Sequence, residues 1–147
     1  MATRTARTSW KGTLQEGSGT TELASSGLGT FDVSWPKRTS DAADGSTSPE
    51  ELIAAAHASC FAMAFSGGIA KAGGTPQSLE VTADVGFGPD KERGGFHITG
   101  ITLTVRGRVD GMDAAAFEQA AQEAKAGCPV SKALTGTEIT LDAALES

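Results

Sequence analysis

The feature that most constrains this chain is a long uncharged stretch, Leu52 to Ala70, preceded by a strong helix start. Ser48 is placed to cap, Pro49 suits the first helical position, and Glu50 and Glu51 put negative charge where the helix dipole favours it. The helix is predicted to run through Leu52, Ala55, Ala56, Cys60 and Met63 towards Ser66. Gly67-Gly68 can bend or end it, and Gly73-Gly74 with Pro76 must end it. On length alone such a segment can cross a bilayer. It is mostly Ala, Ser and Gly, however, it carries His57, and it has neither an aromatic belt nor a basic flank. It reads as a helix buried in protein.

The flanking pattern sets the fold class. Trp10–Leu14 and Thr30–Trp35 are strand candidates, with turns over Gly19–Gly29 and a polar loop over Lys37–Thr47 that holds an Asp44-Gly45 turn signal. Leu79, Val81, Ala83, Val85 and Phe87 alternate as a strand does. Phe96 to Val109 also alternates, but Phe96 and Ile98 are out of phase with Ile101, Leu103 and Val105, so Gly100 marks a bulge. Asp113 caps a helix over Ala114–Ala126 that Gly127 terminates, Cys128-Pro129 opens a short helical segment to Leu134, and Ile139 to Leu145 form a last strand. Strands, helix, strand pair, helices and strand indicate an α+β fold with an antiparallel sheet and a long central helix, in one domain over residues 1–147.

Composition narrows the function. With 39% apolar residues the chain can build a core, and its net charge of -6, with no basic run longer than Lys37-Arg38, argues against nucleic acid and against an anionic membrane surface. No glycine-rich phosphate loop follows a strand, so no nucleotide cofactor is expected. Met1 to Ser9 is polar, without the apolar region of a signal peptide, which points to the cytoplasm. Thiols stay reduced there, so two cysteines 68 positions apart, without a CxxC motif, are not read as a structural staple. Taken singly, each reads equally well as a small buried hydrophobe. His57 shares a face with Cys60 and is read first as a hydrogen-bonded core histidine. His57, His97, Cys60 and Cys128 have no metal-ligand spacing, so no metal is expected.

As a reactive pair, Cys60 and Cys128 suit peroxide reduction: one thiolate is oxidised to a sulfenic acid and the other condenses with it. A free cysteine has a pKa of roughly 8.5, so only about 3% is ionised at pH 7. Local physics leaves the order of attack open. Cys128, before Pro129 at a helix start, gains from the dipole, whereas Cys60 lies mid-helix among apolar residues and needs an external cation.

Two motifs carry a resemblance that orders the pair. Thr47-Ser48-Pro49-Glu50-Glu51-Leu52-Ile53-Ala54-Ala55-Ala56-His57-Ala58-Ser59-Cys60-Phe61-Ala62-Met63-Ala64 and Ala124-Lys125-Ala126-Gly127-Cys128-Pro129-Val130-Ser131-Lys132-Ala133-Leu134 closely resemble the OsmC/Ohr family, the osmotically induced and organic-hydroperoxide-resistance proteins. The chain looks closer to the OsmC branch. The resemblance implies an intertwined homodimer with active sites at the interface, a peroxidase acting on organic hydroperoxides and more weakly on hydrogen peroxide, and a thiol reductant, for which the Ohr side of the family suggests a dihydrolipoyl protein. It implies that Cys60 attacks, that Cys128 resolves, and that an arginine and a glutamate support Cys60. Glu50 matches the glutamate, and Arg38, in Ser34-Trp35-Pro36-Lys37-Arg38, is the arginine chosen.

Helix geometry adds a constraint. Glu50 and Cys60 are ten residues apart, about 15 Å of helical rise, which no carboxylate spans. Glu50 and its arginine are therefore expected to serve the partner subunit's Cys60, through long helices packed antiparallel. The rival readings are a noncatalytic dimer that binds a hydrophobic ligand and a thiol redox sensor.

Overall fold

Three short strands form an antiparallel meander: β1 (Arg7–Lys11), β2 (Ser18–Glu22) and β3 (Thr30–Val33). β2 lies where the sequence reads as turns, because Ser-Gly-Thr-Thr-Glu has no apolar alternation to announce a strand. Its Gly19 pairs with Trp10, and a Cβ on Gly19 would sit 2.9 Å from the indole, so the glycine makes room for the ring. β1 stops at Lys11 and not at Leu14, because Gly12 turns the chain at φ 92°. A four-residue helix, α1 (Trp35–Arg38), follows β3 at the head of the expected loop, with Ser34 Oγ accepting from the Lys37 N–H.

This computed structural model describes residues 1–147 and divides into two units, Met1–Leu52 and Ile53–Ser147. The first buries only Gly17, Thr21 and Glu50, and it leaves Trp10, Leu14 and Phe31 exposed. It has no apolar core of its own. Helix α2 (Pro49–Lys71) begins in this unit, with Ser48 Oγ accepting from the Glu51 N–H as expected, and continues in the second.

In the second unit α2 runs through Gly67-Gly68 and ends where Gly73 takes φ 91° and the Gly74 N–H bonds to Ile69 O. It is long and apolar enough to cross a membrane. His57, Phe61, Phe65 and Ile69, spaced by four, are fully buried. The expectation of a helix buried in protein needs correcting on its other side, where Ala55, Ala56, Ser59, Met63 and Gly67 are exposed and Met63 keeps 71% of its surface. Mostly small side chains, with Met63, leave that side exposed and uncharged.

The buried face of α2 packs into a core shared with β5 (Phe96–Asp110) and α3 (Ala114–Gly127). Phe65 meets Phe117 edge to face at 4.9 Å and tilts against Phe61 at 5.5 Å. β4 (Thr75–Pro89) and β5 form a long antiparallel pair. The expected bulge is present: Gly86 pairs with Gly100 and Phe87 with Ile98, so Thr99 is the extra residue. Its hydroxyl fills the space that a Cβ on Gly86 would need. One pairing departs from the all-antiparallel expectation, since β6 (Ile139–Leu145) runs parallel to β5. The intervening α3 and α4 (Pro129–Ala133) supply the crossover that a parallel pair needs. Asp113 caps α3 by accepting from the Ala116 N–H at 2.8 Å.

At Gly107 on β5, the Phe117 ring of α3 lies close over the backbone. A Cβ there would lie 2.7 Å from Leu79 Cδ2 and 2.8 Å from the Phe117 ring, and Phe117 is fully buried. Gly107→Ala should overpack this contact and destabilise the protein by about 1–3 kcal/mol. Urea unfolding should show a lower midpoint at an unchanged slope.

Candidate active site

Two i, i+3 pairs face one another in the second unit. His57 and Cys60 stack on α2, while Cys128 and Ser131 stack across the start of α4. Cys128 Sγ lies 3.1 Å from Cys60 Sγ, with both thiols free, and His57 Nε2 lies 2.7 Å from Ser131 Oγ. The two contacts form parallel rungs between the helices. Cys128, His57 and Ser131 are buried, and Cys60 is half-buried.

The helices place these groups for local reasons. Gly127 ends α3, the Cys128 N–H closes on Ala124 O at 2.8 Å, and Pro129 starts the next turn with its φ already set. Cys128 thereby becomes the N-cap of α4, without a closed side-chain capping bond.

The electrostatics split the pair. Burial pushes the Cys128 thiol up, but the backbone N–H of Ser131, the Cys60 thiol, the Ser131 hydroxyl and the Val130 N–H together bring it below its ordinary value. Burial pushes Cys60 up, the Val130 backbone opposes this, and the neighbouring Cys128 adds to the rise through hydrogen bond and charge. Within the second unit Cys128 is therefore the better acid, in line with the local sequence reading. His57 is held below its usual range by burial and is neutral.

The other two sequence-predicted residues meet in the first unit. Arg38 grips Glu50 in a fork, with Nη2 at 2.7 Å and Nε at 3.1 and 3.2 Å from the carboxylate oxygens. The loop between them is tied back in three places. Lys37 Nζ bonds Asp44 at 2.8 Å, the Asp44-Gly45 turn has both residues at positive φ, and the Thr47 N–H donates to Asp32 O. The Arg38 guanidinium also lies 5.9 Å from the centre of the Trp35 ring. It borders a cavity of about 140 Å³ whose walls include Trp10, Leu14, Val33, Trp35 and Pro49.

The four sequence-predicted residues thus fall into two contacts, each within one unit. Phe61, Met63, Phe65 and Phe87 read from sequence as core or pocket. Phe61 and Phe65 are core, Met63 is exposed, and Phe87 stacks on Phe96 at 5.3 Å. Ser131 escaped the sequence reading. The signal that finds it is the matching spacing of three in His57/Cys60 and Cys128/Ser131. The aromatic wall beside Arg38 escaped it too, because Trp10 and Trp35 are far apart in sequence and met only as strand residues.

A family model described as OsmC-like protein matches residues 42–143, which include both cysteines and Glu50. The chain belongs to the OsmC family. It is 45% identical over 138 residues to the protein named Peroxiredoxin OsmC of Escherichia coli, covering 94% of this chain and 93% of that protein. It is 36% identical over 99 residues to organic hydroperoxide resistance protein OhrA of Bacillus subtilis, covering 67% of each. Among solved structures it matches an organic hydroperoxide resistance protein from Elizabethkingia anophelis at a TM-score of 0.75 and 28% identity, over 99% of this chain and 98% of that one. It also matches OhrB of Bacillus subtilis at 0.69 and 29%, over 97% and 98%. The mixed fold with its long helix is that of OsmC and Ohr structures, and the named relatives support a peroxidase-type, thiol-dependent enzyme.

The neutral burial of His57 predicts a pH dependence for this OsmC-family fold. Its folded pKa lies below the unfolded value of roughly 6.5, so the unfolded chain binds more protons in that range. The contribution to stability is complete above about pH 6.5 and is lost as pH falls below it. Denaturation midpoints should drop from pH 7.5 to pH 5.5, and the drop should shrink in His57→Gln. An equal drop in both proteins would assign the acid sensitivity to other groups.

Proposed function

We propose that this OsmC-family chain is a cytoplasmic two-cysteine peroxidase that reduces organic hydroperoxides, and hydrogen peroxide more weakly. The observation that carries the reading is the 3.1 Å approach of two free thiols from different helices. Closing about 1 Å further reaches the S–S bond length of roughly 2.0 Å, so disulfide formation needs no local unfolding.

The order of attack follows from access. Cys128 has no exposed surface, so a peroxide cannot reach it, whereas Cys60 is half-buried. The Cys60 thiolate attacks the outer peroxide oxygen, the O–O bond breaks, and the alkoxide takes a proton and leaves as alcohol. Cys60 is then a sulfenic acid. Cys128 attacks its sulfur, the S–S bond forms, and hydroxide leaves with the proton as water. The sum is two thiols and ROOH giving disulfide, ROH and water. A dithiol reductant, for which a dihydrolipoyl protein is our choice, restores both thiols by exchange.

The first step needs Cys60 ionised, and the second unit by itself pushes it the other way. A cation must be supplied. Arg38, oriented by the buried carboxylate of Glu50 and flanked by an apolar cavity, has the required chemistry: charge for the thiolate, donors for the leaving oxygen, and an apolar wall for an alkyl chain. The sequence spacing of Glu50 and Cys60 leads us to assign this pair to the partner subunit's site. Two further features support a homodimer: the exposed, uncharged side of α2, and a three-stranded unit without an apolar core, which is unstable alone.

In stopped-flow mixing with cumene hydroperoxide, the wild type should lose both thiols per peroxide in a fast reaction that Cys60→Ser abolishes. Thiol loss no faster than that of free cysteine would turn the reading towards a noncatalytic ligand-binding dimer or a redox sensor. Cys60→Ala and Glu50→Ala chains should each be nearly inactive alone. Refolded together in equal amounts, they should recover roughly a quarter of wild-type activity, because half of the dimers are mixed and each holds one intact site. No recovery on mixing would exclude the shared site.

A further inference from the structure

The proposed chemistry leaves one buried polar contact without a task. His57 and Ser131 are both buried, they come from α2 and α4, and their 2.7 Å hydrogen bond has no part in activating Cys60 or binding peroxide. A core that needed only packing would use apolar residues at both positions, since a buried polar pair gains little over a well-packed apolar one.

We propose that His57 and Ser131 form a positioning pair for Cys128, holding α4 on α2 so that the resolving sulfur stays within bonding reach of Cys60. This rests on the peroxidase reading above. The geometry is that of two rungs between the same two helices. His57 is three residues before Cys60 and Ser131 three residues after Cys128, so the histidine–serine rung lies beside the sulfur–sulfur rung. The first rung is unreactive and persists whether the second is two thiols or a disulfide. It fixes the approach of the helices through the redox cycle.

The proton arrangement fits the same role. His57 Nδ1 is buried and has no partner. A buried N–H without an acceptor is the costlier way to leave an atom unpaired, so Nδ1 carries the lone pair and Nε2 carries the proton. His57 Nε2–H then donates to Ser131 Oγ. The serine hydroxyl proton is thereby free to point at Cys128, whose sulfur lies on the same face three residues earlier. The hydroxyl donates to the sulfur as a thiolate and orients it towards Cys60. No proton is gained or lost by the pair. The thiol proton of Cys128 leaves with the hydroxide from the Cys60 sulfenic acid, as water.

The test separates the two chemical steps in one experiment. After a single equivalent of cumene hydroperoxide, sulfenic acid is trapped with dimedone at timed intervals, and disulfide is counted by mass. Loss of the pair, in Ser131→Ala or His57→Leu, should slow disulfide formation at least tenfold relative to formation of the sulfenic acid. The dimedone adduct should rise accordingly, and excess peroxide should drive Cys60 to the sulfinic acid. His57→Gln, whose amide can still donate to Ser131 Oγ, should restore most of the lost rate, which a variant that merely loosened the core would not do. Far-UV circular dichroism and unfolding midpoints identify any variant that fails to fold, and whichever of Ser131→Ala and His57→Leu folds then carries the comparison with wild type and His57→Gln. An unchanged ratio of the two steps in the folded variants would overturn the proposal, as would a His57→Gln no better than His57→Leu. A wild type that forms neither sulfenic acid nor disulfide would instead refute the peroxidase reading.

Discussion

The second unit depends on a single packing relation: one face of α2, repeating every four residues, is buried from His57 to Ile69. Three of its members are apolar and set the core against β5 and α3. The fourth, His57, is polar and sits one turn from Cys60, so the site is continuous with the core and not laid on top of it. The consequence is rigidity where the chemistry needs it. Cys60 is fixed by the same helix that Phe61 and Phe65 anchor, and Cys128 by a turn between two helices that the core also holds. A loop-borne cysteine would have to find its partner by diffusion. This one is delivered by packing.

That packing also creates a conflict. Burial raises the pKa of Cys60 and so disfavours the ion on which the proposed first step depends. Cys128 escapes the same penalty because a helix start offers it N–H and O–H donors, which a mid-helix residue lacks. The fold thus lowers the pKa of the more buried thiol and raises that of the more accessible one. In the proposed homodimer, a cation brought by the second chain would resolve the conflict. On that proposal chemical competence would be tied to assembly, since a lone subunit would hold an unactivated nucleophile.

Much of this was legible in the sequence, for definite reasons. α2 was marked by Ser48-Pro49-Glu50-Glu51 at one end and Gly73-Gly74 at the other, α3 by Asp113 and Gly127, and the bulge in β5 by the slip between Ile98 and Ile101. These are local signals, and local hydrogen bonding and sterics fix them. What failed was non-local. β2 is a strand because Trp10 and Phe31 lie on the strands that flank it, and nothing within Ser18–Glu22 says so. The parallel seating of β6 is set by where the α3–α4 crossover returns. Only one side of α2 is buried, and the sequence does not show this because an uncharged helix face reads the same whether or not anything covers it. Ser131 was invisible for a different reason: a serine near a cysteine is common, and only the facing histidine gives it meaning.

Magnitudes decide which feature of the cysteine pair matters most for resolution. Lowering a thiol pKa from roughly 8.5 to about 6 raises the ionised fraction at pH 7 about 30-fold, near 2 kcal/mol, and part of that is returned as lower nucleophilicity. Holding two reacting groups in an aligned geometry is worth effective molarities of about 10⁵–10⁸ M. Placement therefore outweighs ionisation by orders of magnitude for the Cys128 step, where both sulfurs belong to one chain and already lie 3.1 Å apart. The peroxide step is the reverse case, because its substrate arrives from solution and no fixed geometry precedes it. There the charge and donors that Arg38 is proposed to bring to Cys60 would carry more of the rate. The two cysteines thus sit in environments matched to different limits: Cys128 fully buried, and Cys60 only half-buried, where a charge from the proposed second subunit could still reach it.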